Sequence, residues 1–535
     1  MKTMINSIIL ASCLALPLAS CSDSDAAPEQ KDWSTTTYFN SSDAAAQDTY
    51  YKPAVGYVGD PMPFFDPVAG DFKVLYLQDF RPNPEGTYHP IWGVSTKDAA
   101  HYTALGELVS CGTLKSQDAA IGTGSTIYDE ASKLYYTFYT GNKYKPTGDE
   151  SAQAVMVATS ADFKTWTKDR TFLLKGQDFG YDKNNFRDPF VFKGDDGKFH
   201  MLISTKKGGK GSLAEFVSDD LKNWTDNGVF MTMMWDRFYE CPDLFKMGDY
   251  WYLVYSEIHH AVRRVQYFKG RTLDELKACT ANDAGIWPDA HEGFLDSRGL
   301  YAGKTASDGT NRYLWGWCPT RSGKDNTAVG ASPAEPEWAG NLVCYKLIQH
   351  EDGTLTLGQV DAVSEKYNQD VAVEVKESQN MTEADGTYTL AGNAELPDAY
   401  MLMGRLGNHN KISFTVTTTD KWDKFGISMV RGSDSKKYYT MVVNPENENN
   451  RKVNFEEQGV EGKGFIAGID GYVFARPADN VYNITIYTDN SICVMYINDV
   501  CSYTNRIYGI QKNCWSINSY NGANVKVSNL KISQY

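Results

Sequence analysis

The chain has 535 residues and a net charge of −15, a length beyond what one hydrophobic core usually serves, so two folded domains are expected. An acidic chain without a basic run suits a phosphate backbone poorly, which excludes nucleic-acid binding as its main task. Hydrophobic content of 42% and 22% charged residues exclude disorder over most of the length. The 34 Tyr, 24 Phe, 12 Trp and 45 Gly favour strands joined by tight turns.

Met1-Lys2 leads into an apolar run from Ile8 to Leu18 that is too short to span a bilayer and ends in Leu18-Ala19-Ser20-Cys21. The run reads as an export signal over residues 1–20. Its ending resembles the lipobox of bacterial lipoproteins, which implies lipidation of Cys21 and a lipid anchor at the outer membrane, on the cell surface or the periplasmic face. The same four letters occur at Leu10 to Cys13, where cleavage would leave almost no apolar core. Residues 21–48 are polar and small and read as a tether; Ser22-Asp23-Ser24-Asp25 resembles the acidic stretch of some surface lipoproteins.

From residue 49 to about 362 the chain repeats a unit five times: a short apolar strand, a polar turn, then a strand of aromatic and branched residues. The turns are Asp66 to Gly70, Asp129 to Lys133, Gly194 to Gly197, Met247 to Asp249 and Asp308-Gly309. A period of about sixty residues with about four short strands each is what a β-propeller blade needs, because a blade's sheet cannot bury both faces alone. The expected fold is all-β: a five-bladed propeller at 49–362, then a β-sandwich at 366–535. In the second domain, residues 411–416, 482–487, 493–497 and 525–528 alternate like half-buried strands. Gly208-Gly209-Lys210-Gly211-Ser212 lacks phosphate-loop spacing and reads as a hairpin tip. The eight cysteines of the body show no C-x-x-C spacing, so neither zinc nor a redox pair is expected, and buried thiols are.

The repeats place the carboxylates. Asp60, Asp188 and Glu240 each stand just before the first strand of a blade, with proline following at once or after one residue. Equivalent positions in a propeller lie at one radius and height, so these acids should converge on one end of the axis with Arg187. That is an acid/base site or a cation site; a lone Asp-Pro would merely begin a strand.

Gly59-Asp60-Pro61, Phe186-Arg187-Asp188-Pro189 and Glu240-Cys241-Pro242-Asp243 resemble the three signatures of glycoside hydrolase family 32, the β-fructosidases. Further similarity lies in Trp92-Gly93 with Asp98, Thr123-Gly124-Ser125, Leu295-Asp296 leading to Tyr301-Ala302, and Ile484 to Ile507. The resemblance implies a propeller followed by a sandwich, and a retaining hydrolase acting on fructans or fructo-oligosaccharides such as levan, inulin or sucrose. It implies Asp60 as nucleophile, Glu240 as general acid/base and Asp188 as transition-state stabiliser. Gln78 (matching with a one-residue shift), Trp92, Thr123 and Arg187 would bind the sugar. No cofactor or metal is implied, and a monomer is expected.

Direct attack requires the Asp60 and Glu240 carboxyls to lie about 5–5.5 Å apart. Trp235, Phe238 and Cys241 should surround Glu240 with apolar matter and keep it protonated, while Arg187 should keep Asp188 ionised. One departure stands out: the family's Trp-Met-Asn before the nucleophile is Tyr57-Val58-Gly59 here, and its following Asn-Gly is Met62-Pro63. Two other readings compete, an inverting arabinan- or xylan-directed glycosidase like those of family 43, and a non-catalytic glycan-binding surface lipoprotein.

Overall fold

The computed structural model describes residues 49–80, 83, 85–233, 238–257, 264–279, 292–321, 336–431, 437–456, 471–507, 509–511 and 513–535. Cys21, the export signal and the tether, together with Trp235 and His259-His260, lie outside the described residues.

All five repeated hairpins form, and each is the inner half of a four-stranded antiparallel blade. The inner strands are Tyr57–Asp66, Ala120–Asp129, Phe186–Lys193, Glu240–Met247 and Tyr301–Ser307. Each packs on the next and the fifth packs on the first, so the ring closes around an axis. Closure is reinforced by pairing: the long third strand of blade five, Pro336–Gln349, meets the first inner strand at Val58 and Gly340. The faces between blades are filled by the aromatic and branched residues that define the repeat, such as Tyr252, Val254, Trp315 and Tyr345, which share one core cluster of blades four and five. Gly208 and Gly209, at φ 60° and 79°, turn the tight hairpin between Lys207 and Lys210 as expected.

The outer edge carries a second repeat. After the third strand of blades one, two and three, Asp98, Asp162 and Asp220 accept hydrogen bonds from the backbone two and three residues on. The residues that follow them, Ala99, Phe163 and Leu221, adopt positive φ and are buried. These backbone donors hold the carboxyls of Asp98 and Asp220 at about 2.

The C-terminal domain is two facing antiparallel sheets of eight and seven strands. All four segments with sequence alternation lie in the larger sheet, in strands His409–Thr418, Val481–Asp489, Ile492–Ile497 and Asn524–Gln534. Residues 409–418 alternate strictly between half-buried and buried. Among the described residues the eight cysteines are free thiols, six of them buried.

A buried polar seam joins the domains. Asp296 accepts from the Thr504 N–H and hydroxyl, both at 2.8 Å, and from the Ser502 hydroxyl at 2.9 Å. From the sandwich, Arg506 donates to the carbonyls of Cys318 and Pro319, each at 3.0 Å, and to Asn341. Asp489 accepts the backbone N–H groups of Thr49 and Tyr50 at 3.0 and 2.9 Å, pinning the start of the described chain to the same seam.

Candidate active site

In all five inner strands the hydrogen-bond ladder slips at the same level. In blade one, Gly59 and Met62 face Leu77 and Leu75, leaving Asp60-Pro61 outside the ladder. Thr123 is left out in blade two, Asp188-Pro189 in blade three, Cys241-Pro242 in blade four and Ala302-Gly303 in blade five. Such bulges re-aim side chains and need no N–H from the extra residues, which is why proline is tolerated in three of them. Asp188, Cys241 and Ala302 take up the slip with φ of 57°, 51° and 53°. The acids therefore sit inside the strands, where the sequence placed them just ahead; a bulge is a mismatch between two strands and leaves no mark in the pattern of one.

The bulges bring Asp60, Thr123, Arg187, Asp188 and Glu240 together. Asp60 receives two neutral donors: the Thr123 hydroxyl at 2.7 Å on Oδ2 and the Trp317 indole N–H at 2.9 Å on Oδ1. Glu240 is held by Arg187, whose Nη2 lies 2.9 Å from Oε1, and by the Tyr301 hydroxyl on Oε2. The Arg187 guanidinium rests 3.8 Å from the centre of the Phe238 ring. Glu240 thus has polar immediate partners, where the sequence suggested an apolar enclosure; Phe238 serves the arginine instead. Asp188 lies deepest, with a side chain 7% exposed against 17% for Glu240. It accepts the Cys241 backbone N–H at 3.0 Å, and Arg187 Nε stands 3.9 Å away.

Burial raises the two aspartates. Asp60 lies above its ordinary value, since lost hydration outweighs its two hydrogen bonds and the nearby charge of Glu240 adds to the rise. Asp188 is pushed up to about 6, first by burial and then by Glu240 and Asp60, with Arg187 only partly offsetting them. Arg187 thus favours the ionised form of Asp188, as expected, but burial and the neighbouring acids outweigh it.

Two sequence candidates stand apart. Gln78 is fully buried and turns its amide into the protein, donating to the Val55 carbonyl at 2.6 Å. Trp92 lies on the third strand of blade one, away from the axis, packed edge-on against Phe80 at 6.0 Å. A local motif does not say which way a strand residue faces.

Blade five supplies what sequence reasoning missed. Tyr301 sits at its bulge and Trp317 directly across from it, with ring centres 5.5 Å apart. Trp338, stacked on His89 at 4.1 Å, lies over Gly59. A Cβ on Gly59 would come within 2.2 Å of that indole, so the ring fills the space a longer side chain would take before the nucleophile position. Met62, the residue after Pro61, is buried between blades one and two and accepts the Gly124 N–H on Sδ at 3.1 Å. The departures at Gly59 and Met62 are thus packed solutions. Tyr301-Ala302 at the start of blade five was the available signal.

Residues 50–360 match the Glycosyl hydrolases family 32 N-terminal domain, and residues 353–532 match the GH32, BT1760-like, C-terminal domain. The chain belongs to glycoside hydrolase family 32. Among curated proteins it is 26% identical over 320 residues to the insoluble β-fructofuranosidase isoenzyme CWINV2 of Arabidopsis thaliana, covering 54% of this chain and 51% of that protein. It is 25% identical over 217 residues to sucrose-6-phosphate hydrolase of Vibrio alginolyticus, covering 39% and 41%. The chain therefore spans about half the length, or less, of these relatives.

Among solved structures, the fold is shared with sucrose-6-phosphate hydrolase from Lactobacillus gasseri, at TM-score 0.68 and 18% identity over 94% of this chain and 98% of that one. It is also shared with fructan 1-exohydrolase IIa from Cichorium intybus, solved in complex with 1-kestose, at TM-score 0.68 and 15% identity over 91% and 97%.

The Gly59–Trp338 contact is testable by a double-mutant cycle. Gly59→Ala forces the indole aside and should destabilise the protein by about 1–3 kcal/mol. The same change made on Trp338→Ala should cost well under half of that, because its obstacle is gone. Equal costs in denaturant titrations would show that the two residues do not share this space.

Proposed function

We propose that the protein is a retaining β-fructosidase that cleaves β-fructofuranosidic bonds of fructans or fructo-oligosaccharides. The observation that carries this reading is the division of partners between two acids at one end of the axis. Among the described residues Asp60 has only neutral donors, which leave its carboxylate unpaired with a cation and available to attack. Glu240, fixed by the Arg187 guanidinium on one oxygen and the Tyr301 hydroxyl on the other, is the second carboxyl and is assigned the general acid/base role. Retaining glycosidases need these two functions on opposite sides of one bond.

In the first step Asp60 attacks the anomeric carbon of the fructosyl unit as the bond to the leaving oxygen breaks, and Glu240 gives that oxygen its proton. In the second, water attacks the fructosyl–Asp60 ester, Glu240 takes the water's proton, and Asp60 leaves as carboxylate. Asp188 and Arg187 hold fructosyl hydroxyls from below, a position suited to steadying the oxocarbenium-like transition state. The family 32 match over both domains does not favour an arabinan- or xylan-directed family 43 enzyme, and three hydrogen-bonded acids on one axis do not favour a non-catalytic binder.

A panel of levan, inulin, sucrose, arabinan and xylan should release fructose from at least one of the first three and no pentose from the others. Pentose release alone, or no release at all, would refute the reading. With the substrate found, activity should fall as pH drops through about 6, because Asp188 and Asp60 take up protons above the ordinary carboxylate range. Glu240→Gln should cost about 10²–10⁴ in turnover on the natural substrate. The loss should be much smaller in the first step on fructosides whose leaving group needs no proton, and an equal loss on both would remove Glu240 from the acid role.

Localisation rests on sequence alone. We place the mature protein at the membrane through a lipid on Cys21, exported, with the catalytic domain in water as a monomer. Cys21→Ala should move the protein from the membrane fraction to the soluble fraction of its host; a wild type already soluble would contradict the anchor.

A further inference from the structure

Lys304 follows the bulge of blade five and points into the axis, 2% exposed. Its ammonium donates to the Gly124 carbonyl at 2.8 Å, on the inner strand of blade two. In the ring, blades one and four flank blade five, so this bond runs across the axis rather than along the ring. The Phe190 ring, from blade three, lies 5.4 Å from the ammonium. Among the described residues this is its one hydrogen bond, and no carboxylate lies within 4.0 Å of it. A buried ammonium with one neutral acceptor is costly to keep, so packing alone is a poor reason for its presence.

The charges around it supply a better one. Blades one, three and four aim Asp60, Asp188, Glu240 and Asp243 at the axis, and the Cys241 thiol stands among them. Arg187 is engaged by Glu240 at 2.9 Å. Arg312 faces Asp243 through Thr305, whose hydroxyl it meets at 2.8 Å and which donates to Asp243 at 2.6 Å. Blade two contributes no charge here, only Thr123. Asp60 is left with neutral donors and no cation within 4.0 Å among the described residues. Burial lowers the proton affinity of Lys304, and the acids around it, Cys241 and Asp243 first and then Asp188 and Asp60, act to keep it charged.

The same ammonium also fixes geometry. Gly124 lies so close to blade two's second strand that a Cβ would sit 1.8 Å from the Phe138 carbonyl. The bond from Lys304 to its carbonyl therefore holds a rigid point next to Thr123, the donor to Asp60.

We propose that Lys304 is a positioning residue of this active site: a cross-axis ammonium that keeps the Asp60–Asp188 pair ionised while bracing the Thr123 bulge against Asp60. The inference rests on the fructosidase reading for its kinetic consequence and on the fold alone for its electrostatic one. Removing a positive charge from a cluster of acids raises their affinity for protons.

The full-length protein carrying Lys304→Met or Lys304→Gln should show the acidic limb of kcat/KM shifted upward by about one pH unit, a tenfold change in proton affinity, with the alkaline limb in place. Gln retains an N–H donor without the charge, so its limb should move as that of Met does. Thermal melts give a readout that needs no substrate: the folded variants bind protons more tightly, so their Tm relative to wild type should rise as pH is lowered from about 8 to about 4. Limbs and relative Tm values independent of the substitution would overturn the proposal, and a Gln variant with the wild-type profile would reduce Lys304 to a strut. A wild type inactive on every fructoside would refute the fructosidase reading alone, because the melts still report on Lys304.

Discussion

Like charges gathered in little space are the constraint around which this molecule is built. A five-bladed ring brings its inner strands close, so a bulge at one level of each strand aims five side chains at one point. Two of those positions end in carboxylates, Asp60 and Asp188, and Glu240 stands just before a third; burial together with the charges of the neighbouring acids raises the proton affinity of Asp60 and Asp188. The fold answers by giving every acid a different set of partners: hydroxyl and indole for Asp60, guanidinium and phenol for Glu240, a backbone N–H for Asp188. Chemically identical groups thereby acquire distinct tasks, which a double displacement requires.

The second domain belongs to the same solution. Arg506 of the sandwich grips the carbonyls of Cys318 and Pro319, the two residues after Trp317, and Trp317 donates to Asp60. Asp296, at the opening of blade five, is satisfied by Ser502 and Thr504 of the neighbouring sandwich strand, five residues before Tyr301. Both donors that blade five contributes to the site thus descend from segments clamped by the sandwich. A buried seam of this kind resists sliding, since displacement would leave several buried polar groups without partners.

Much of this was legible in the chain. The five hairpins could be read because alternation, aromatic strands and Gly/Asp turns are local properties, and three acids in equivalent repeats gave the site. The misplaced side chains share one cause, that facing is set between strands. Gln78 and Trp92 carry suitable chemistry in strands whose register turns them elsewhere, into the Val55 loop and against Phe80. Tyr301, Lys304 and Trp317 surround the site because blade five closes the ring against blade one, a long-range event without a short motif. The repeated Ser/Thr-x-Asp turns at Asp98, Asp162 and Asp220 were a readable marker of the outer strands that hairpin counting passed over.

The central claim is that Asp60 bonds covalently to the sugar, so that two inversions restore the starting configuration. Rapid proton and carbon NMR of the first turnovers on a β-fructofuranoside reports this directly, before mutarotation blurs it. The account predicts β-fructofuranose as the first product. Initial release of the α anomer would contradict it, since that result requires water, with Asp60 as its base, to attack in a single step.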